Sequence, residues 1–139
     1  MKVLLTIDGV QTEPGGREQE TSVSCQACCE TSGDGHLFSY TVEGERASLF
    51  ISRSRAWMER KGGAGALMVF DPSLPVTKCD YGTPFGTIPM EIRTEKIVVM
   101  GRGNTPGVFA LRGRIKYTLR LDEDYCLKCS VTIKAQQME

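Results

Sequence analysis

The sequence contains very little histidine, and this scarcity limits the chemistry that it can carry out. His36 is the single histidine among 139 residues, so a catalytic triad or metal cluster that needs imidazole would depend on this residue alone. The chain also lacks the Gly-x-Ser-x-Gly segment of a serine hydrolase. No catalytic residue is therefore predicted, and an enzyme dependent on His36 ranks third, behind the two binding functions introduced below.

Long apolar runs are missing as well. The N-terminal segment MKVLLTIDGV is interrupted at Thr6 and Asp8, before it reaches the length of a signal-peptide core. No stretch approaches the ~18 apolar residues of a membrane span. We therefore expect a cytoplasmic protein with no membrane contact, whose six cysteines are reduced thiols rather than disulfides. The length suits a single domain over residues 1–139.

Neither sign of charge is in excess, but the charges are distributed unevenly along the chain. Seventeen basic and seventeen acidic residues cancel overall. Residues 1–45 hold two basic and eight acidic residues, whereas residues 46–139 hold fifteen and nine. Because a β-barrel brings distant strands together, we expect the fold to mix these charges on its surface.

Alternation with a period of two residues dominates what is present. Over residues 111–121 one face is apolar, with Leu111, Gly113, Ile115, Tyr117, Leu119 and Leu121. The opposite face is largely basic, with Arg112, Arg114, Lys116, Thr118 and Arg120. The pattern resumes over residues 127–134, after an acidic turn at 122–124. It therefore predicts a C-terminal β-hairpin whose first strand has a basic outer face.

Further short strands are predicted between turns rich in glycine and proline. They cover Val3–Val10, Glu20–Glu30, His36–Val42, Ala47–Ser52, Ala56–Arg60, Ala66–Asp71 and Glu95–Met100. Residues 46–61 also fit a short helix, so the sequence leaves the orientation of their side chains open. Many short strands at close spacing indicate an all-β sandwich or barrel.

A rigid segment, CDYGTPFGTIP, lies at residues 79–89. Proline in the second position and glycine in the fourth suit a β-turn over Thr83–Gly86. Tyr81 and Phe85 are expected to anchor this turn on the core. Pro89 cannot donate to a sheet ladder, so we expect it at an edge, at a bulge or at the start of a strand.

The segment from Tyr81 to Pro89 resembles Y-D-T-P-Y-G-S-L-P, a segment of the YwiB family of small bacterial proteins. Three other stretches are similar to that family in order and pattern: LLTIDGVQT near the N-terminus, Leu67–Asp71 and Ile115–Leu121. The chain departs from the family pattern at Gly82 and at Glu123. The resemblance covers nearly the whole chain and implies a calycin-like barrel.

The resemblance to the YwiB family implies one antiparallel all-β, calycin-like barrel of about eight to ten strands, and small barrels either fill their interior with side chains or enclose one ligand. We therefore predict a non-catalytic binding protein for a small, mostly apolar ligand. The residues predicted to line the barrel or its mouth are Tyr81, Phe85, Met68, Phe70, Tyr117 and Leu119. The alternative is a protein-interaction or self-associating module, such as a homodimer, with a fully packed barrel and a basic outer face. An interior cavity would favour the first function, and a filled interior with an apolar outer patch would favour the second.

Two Cys-x-x-Cys pairs raise the question of a zinc site. They are Cys25/Cys28, with Cys29 adjacent, and Cys126/Cys129. Each pair lies in an alternating run, and residues three apart in a strand face opposite sides of the sheet. We therefore predict free thiols, with no bound metal and no other cofactor.

The basic face of residues 112–120 could follow a nucleic-acid backbone. Proteins that bind nucleic acid in this way interleave aromatic side chains for base stacking, but Tyr117 points to the opposite face. We therefore expect a solvated outer face and do not expect nucleic acid as a partner. The glycine-rich segment 61–66 precedes a strand rather than a helix, the reverse of the order found in phosphate-binding loops.

Overall fold

The computed structural model describes residues 1–61, 66–83, 85–102 and 109–138, which form strands joined by turns and loops. The strands are β1 (Lys2–Thr12), β2 (Glu18–Ser32), β3 (Gly35–Val42), β4 (Glu45–Ile51), β5 (Ala56–Lys61), β6 (Ala66–Phe70), β7 (Thr77–Thr83), β8 (Gly86–Arg102), β9 (Ala110–Asp122) and β10 (Tyr125–Gln137). Within the described ranges, no helix is long and apolar enough to cross a membrane.

The described strands belong to one antiparallel sheet, in the order β6-β5-β4-β3-β2-β1-β10-β9-β8-β7. Apart from β6 and β7, each strand pairs with the next strand in the chain, and β1 also pairs with β10. Since the two edge strands follow each other in the chain, the sheet curls until its edges meet. The described residues therefore form a nearly closed up-and-down barrel, which confirms the predicted all-β, calycin-like fold.

The line where β6 meets β7, here called the seam, is joined by side chains instead of a strand ladder in the described part of the chain. Thr77 Oγ1 of β7 donates a hydrogen bond of 2.6 Å to the carbonyl oxygen of Val69 in β6. Just beyond β6, the backbone N–H of Asp71 donates to Thr94 Oγ1 of β8 at 3.2 Å. Thr94 is buried, so this bond satisfies a hydroxyl that would otherwise cost free energy.

Most predicted strands are present, with ends that differ by a few residues. Residues 46–61, for which the sequence also allows a helix, lie mainly in β4 and β5. By contrast, β7 and the beginning of β8 are not predicted. A bulge between Thr94 and Lys96 shifts the register of β8 against β9. Because a bulge inserts an extra residue, the alternation of faces is interrupted there and the period-two signal is lost.

The rigid segment at 79–89 forms a β-hairpin between β7 and β8. Thr83 pairs with Gly86, which has a φ of +127°, so the predicted turn is confirmed and its glycine is required by the backbone. The side chain of Phe85 is fully exposed, so the expectation that it anchors the turn on the core is wrong. Residue 84 and the side chain of Tyr81 lie outside what the structure describes.

Pro89 lies near the outer corner of the sheet. It pairs with Asp80 of β7, whereas the ladder between β8 and β9 begins only at Glu91. At Pro89 the strand therefore has a partner on one side only. This edge position is one of those predicted for a residue that cannot donate a backbone hydrogen bond.

Alternating residues of the strands point into the barrel and fill it. A Cβ atom placed on Gly113 of β9 would lie 2.6 Å from Ile51 Cδ1 of β4, and Ile51 is fully buried. These two strands are not neighbours in the sheet, so the contact spans the barrel. The rings of Phe70 in β6 and Tyr117 in β9 also meet, with centroids 4.7 Å apart. Side chains from opposite walls thus occupy the middle of the barrel.

The cysteines follow the same alternation. Cys25 and Cys29 pack towards the core from β2, whereas Cys28 is exposed on the outer face. In β10, Cys129 is buried and Cys126 is partly exposed. Burial raises the pKa of the Cys29 thiol, and it raises the pKa of Cys129 to about 11. Within the described ranges, no group of three His, Cys, Asp or Glu side chains could hold a metal ion.

We expect Gly113→Ala to lower the free energy of unfolding by about 1–3 kcal/mol, because its methyl group would overlap Ile51 Cδ1 in a filled core. Ile51→Val removes that carbon atom and should itself cost about 0.5–1.5 kcal/mol. In the double variant, the added cost of Gly113→Ala should be smaller than in the native chain. Urea unfolding followed by the fluorescence of Trp57, the single tryptophan, measures all three variants.

Gly101→Ala is the matched control for this test. Its new Cβ atom would lie 3.7 Å from the carbonyl oxygen of Ala110, an ordinary van der Waals contact. Equal losses of stability in the two alanine variants would contradict a filled cross-section at Gly113. The filled cross-section would also be contradicted if the losses in the free energy of unfolding from Gly113→Ala and Ile51→Val were strictly additive in the double variant.

Candidate functional site

Of the residues predicted to line a ligand cavity, five have described side chains, which differ widely in burial, whereas the side chain of Tyr81 lies outside what the structure describes. Phe70, Tyr117 and Leu119 are buried, and the first two fill space by contacting each other. Met68 is partly buried against the core. Together with the exposed Phe85 of the hairpin turn, these side chains line none of the cavities described below.

A basic surface covers the outside of β8, β9 and β10. Its exposed cations, here called the basic face, are Arg93, Lys96, Arg112, Arg114, Lys116, Arg120, Lys128 and Lys134. Between the cations of β9, inner residues such as Ile115 and Leu119 are buried. The predicted strand with an apolar inner face and a basic outer face is therefore confirmed. Two acidic residues, Glu91 and Glu95, also lie on β8.

The order of the strands concentrates charge instead of mixing it. Since β8, β9 and β10 are adjacent in the sheet, their basic residues form one continuous surface. The acidic N-terminal region forms β1, β2 and β3, which are also adjacent. Acidic residues in the first two of these strands are Asp8, Glu18, Glu20 and Glu30. The expectation of mixed charges is wrong, because consecutive strands of an up-and-down barrel remain neighbours.

The cations of the basic face are not paired with carboxylates of the described residues. Within these ranges the one ion pair joins Arg60 to Glu43, at 3.9 Å, and it lies outside the basic face. On the face itself, Arg114 Nε donates a hydrogen bond of 3.2 Å to Ser130 Oγ, which is a neutral partner. The face therefore keeps its capacity to bind carboxylates of another molecule.

Exposed apolar side chains interrupt this basic surface. Leu4, Val98 and Met100 are 44%, 37% and 62% exposed. A shallow groove of about 630 Å³ is lined by Leu4 and Met100 together with Arg112 and Lys134. A second cavity of about 370 Å³ shares Met100 and Arg112 with it, and we call the two together the outer groove. Its combination of apolar and cationic side chains is typical of protein-binding surfaces.

A separate cavity, here called the end pocket, lies at the end of the barrel where β2 turns into β3. It has a volume of about 480 Å³, and its lining includes Thr31, His36, Arg53, Val99 and Phe109. These residues come from five different strands or turns. No local pattern in the sequence indicates this pocket, because only the closed barrel brings its parts together.

The position of the His36 side chain depends on Gly35, the residue before it. A Cβ atom at Gly35 would come within 2.6 Å of the carbonyl oxygen of Ile51 and of the Phe50 ring, so the chain can pass there only as glycine. The His36 ring packs against Phe109, with centroids 5.3 Å apart. Burial lowers the pKa of His36, which favours the neutral ring near neutral pH.

Within the described part of the chain, His36 lacks the orienting partner that a catalytic histidine normally has. In hydrolytic triads the second ring nitrogen donates to a carboxylate, which fixes the tautomer and the orientation of the ring. The Nδ1 atom of His36 is buried and has no hydrogen-bond partner among the described residues. Catalysis that depends on His36 therefore stays a prediction from the sequence.

We expect the free energy of unfolding to fall as the pH is lowered below about 6.5, the ordinary value for histidine. Burial lowers the pKa of His36 in the barrel, so the unfolded chain binds the proton more readily. This contribution to stability is complete above the unfolded-state pKa and is lost as the pH falls towards the folded-state pKa. Urea unfolding over a series of pH values should show a smaller change in this window for His36→Gln.

Asp71→Asn is the control for the pH series. Hydrogen bonds from the side chain and backbone of Ser73 lower the pKa of Asp71, so this carboxylate contributes stability that is lost at more acidic pH. The variant should alter the profile only in that acidic range. If His36→Gln leaves the profile near pH 6 unchanged, the proposed burial of its ring is wrong.

Comparisons with known proteins agree with the barrel. Among solved structures, the crystal structure of the YwiB protein from Bacillus subtilis is similar over 98% of this chain and 92% of that one. The TM-score is 0.76 and the sequence identity is 14%, so the likeness concerns the fold. No curated protein matches the chain. A family model described as a domain of unknown function, DUF1934, matches residues 5–133. The YwiB-like resemblance is therefore confirmed, and the chain belongs to the DUF1934 family.

Proposed function

We propose that the protein is a non-catalytic, cytoplasmic interaction module that binds an acidic protein segment on its basic face. The observation that carries this proposal is the outer groove, where exposed Leu4 and Met100 lie beside Arg112 and Lys134. None of these cations is paired with a carboxylate among the described residues. A surface of this kind is suited to a partner that supplies both carboxylates and apolar side chains.

The filled interior supports a function on the outer surface. Small barrels either fill their interior with side chains or enclose one ligand. Here Ile51 reaches Gly113, and Phe70 contacts Tyr117, from opposite walls. A ligand in the middle of the barrel would have to displace side chains that are already packed, at a cost of about 1–3 kcal/mol or more.

The spacing of the cations suits an extended acidic segment. Arg112, Arg114 and Lys116 alternate along β9, so neighbouring charges are roughly 7 Å apart. Acidic residues at every second position of an extended peptide have the same spacing. Arginine can bind each carboxylate through two parallel hydrogen bonds, which adds geometric selectivity to the attraction.

The apolar part of the groove favours a protein over a nucleic acid. Full burial of one side chain such as Met100 contributes about 1.5–3 kcal/mol, and the screening that weakens attraction between charges at high salt does not weaken this contribution. A single-stranded nucleic acid would instead need aromatic rings for stacking, and Tyr117 is buried on the inner side of β9. A symmetric dimer through the basic face would oppose like charges, so we expect any homodimer to use another surface.

A fluorescently labelled peptide that alternates glutamate and leucine tests the proposal by fluorescence anisotropy. We expect saturable binding that weakens as the salt concentration rises, because exposed charges are screened. Reversing the charges of β9 with Arg112→Glu, Arg114→Glu and Lys116→Glu should weaken binding by about tenfold or more. Circular dichroism confirms that the variant keeps its β-structure.

The matched control reverses three exposed cations outside the basic face, with Arg46→Glu, Arg55→Glu and Lys61→Glu. It carries the same net charge as the first variant and should bind the peptide within about twofold of the native protein. If both variants lose the same affinity for the peptide, the loss is due to net charge alone and the proposed site is wrong. Tighter binding of a single-stranded oligonucleotide than of the peptide would overturn the class of partner.

A small, mostly apolar ligand is the second candidate, because part of the barrel is less completely buried. Met58 and Met68 pair across β5 and β6 and are only partly buried, as are Tyr40, Leu121 and Leu127. Partly exposed apolar side chains of this kind could line the mouth of a ligand site. Of the residues predicted from the sequence, Met68 fits this candidate because it is partly buried against the core.

Native mass spectrometry of the purified protein, followed by the same sample denatured, separates the two candidates. Excess mass of roughly a few hundred daltons that leaves on denaturation would support the ligand-binding barrel. A bare chain mass is expected for the interaction module. Excess mass that persists in the triple variant of β9 would place the bound molecule away from the basic face.

A further inference from the structure

We propose that the end pocket binds a small monocarboxylate with an apolar body, held by His36 and Arg53. This site opens at the end of the barrel, whereas the outer groove lies on the outside of β8, β9 and β10. Its volume of about 480 Å³ falls within the range of roughly 300–1,000 Å³ that small-molecule sites occupy. The lining combines apolar and polar residues: Met1, Cys29, Val99, Gly101, Phe109 and Leu111 with Thr31, Asp34, His36, Ser52 and Arg53. The N-terminal ammonium of Met1 donates a hydrogen bond of 3.2 Å to the Cys29 carbonyl oxygen, which leaves Arg53 as the cationic side chain of the lining.

The environment of His36 fixes what the imidazole can offer to a ligand. Its Nδ1 atom is buried and has no hydrogen-bond partner among the described residues. A buried N–H without an acceptor is less tolerable than a buried lone pair, so we place the proton of the neutral ring on Nε2. Nε2 is then the ring nitrogen that can act as a donor in the pocket. A ligand must therefore present an acceptor, such as a carboxylate oxygen.

Arg53 supplies the positive charge from a well-defined turn. The neighbouring Ser52 is buried, and its Oγ accepts hydrogen bonds from the backbone N–H groups of Ser54 and Arg55, at 3.3 and 3.2 Å. Arg53 itself is exposed and has no ion pair with a carboxylate of the described residues. A fixed backbone with an unpaired guanidinium at the rim is suited to bind one carboxylate.

The remaining lining restricts the rest of the ligand. Phe109 is held by Gln137, through N–H to Oε1 at 3.2 Å and through the Gln137 N–H to the Phe109 carbonyl at 3.0 Å. With Val99 and Leu111 it forms an apolar wall for a ring or a short branched chain. Asp34 lies in the same lining and repels negative charge, so we expect one carboxylate, whose charge Arg53 offsets, to be favoured over two.

The single histidine makes this site directly observable by proton NMR. The ring C–H signals of His36 can be followed without overlap from another histidine. Benzoate and 3-methylbutanoate serve as probes, benzamide as the neutral counterpart of benzoate, and phthalate as the dicarboxylate. We expect the two monocarboxylates to shift the His36 signals saturably, with binding of benzamide and phthalate weaker by about tenfold.

Two arginine variants test the assignment of the carboxylate partner. Arg53→Gln should weaken benzoate binding by about tenfold or more. Arg55→Gln is the control, because Arg55 lies 5.8 Å over the Phe50 ring and does not line the pocket. It should leave the affinity unchanged. Absence of a saturable shift with either monocarboxylate, equal binding of benzamide, or unchanged binding in Arg53→Gln would each overturn the proposal.

Discussion

Ile51 and Gly113 face each other across the barrel, and the space between their backbones fits one isoleucine side chain without an opposing methyl group. This contact ties the distance between β4 and β9 to the size of the side chains between them. Around this contact, the described side chains fill the middle of the barrel. For this reason both proposed sites lie outside this packed region, one at the end of the barrel and one on its outer surface.

Strand β9 contributes both to the packed interior of the barrel and to its basic outer surface. In β9, Gly113 and Ile115 point inward, so Arg112, Arg114 and Lys116 must point outward. Because β8 and β10 lie on either side, their cations extend this row in two directions. The topology thus turns an uneven distribution of charge along the sequence into an uneven distribution over the surface. In a fold with crossing connections, the same sequence bias would be diluted.

Features that depend on a few neighbouring residues could be predicted from the sequence. The alternation of β9, the hairpin that joins it to β10, and the turn at Thr83–Gly86 are of this kind. The bulge between Thr94 and Lys96 is local too, but it interrupts the period on which the prediction relies. Phe85 shows a further limit, since the residue suits a core while the tip of a hairpin places it in solvent.

The outer groove and the end pocket could not be predicted, because their residues are distant in the sequence. Leu4 and Met100 line the same groove only because β1 pairs with β10, β10 with β9 and β9 with β8. His36, Arg53 and Phe109 meet in the same way at the end of the barrel. A single sequence contains no period that links such positions, so the candidate sites follow from the topology and not from motifs.

The seam between β6 and β7 gives the barrel a place to open. A complete ladder would have to be broken cooperatively, but here a short strand is attached at its free edge by contacts such as the hydrogen bond from Thr77 to Val69. Among the described residues, separating these edges breaks fewer hydrogen bonds than separating two paired strands, so we expect local opening to begin there. The barrel is therefore hydrogen-bonded by strand ladders everywhere in its described part except along the seam. Opening along this line would give solvent a lateral route to the interior that a fully closed barrel would not have.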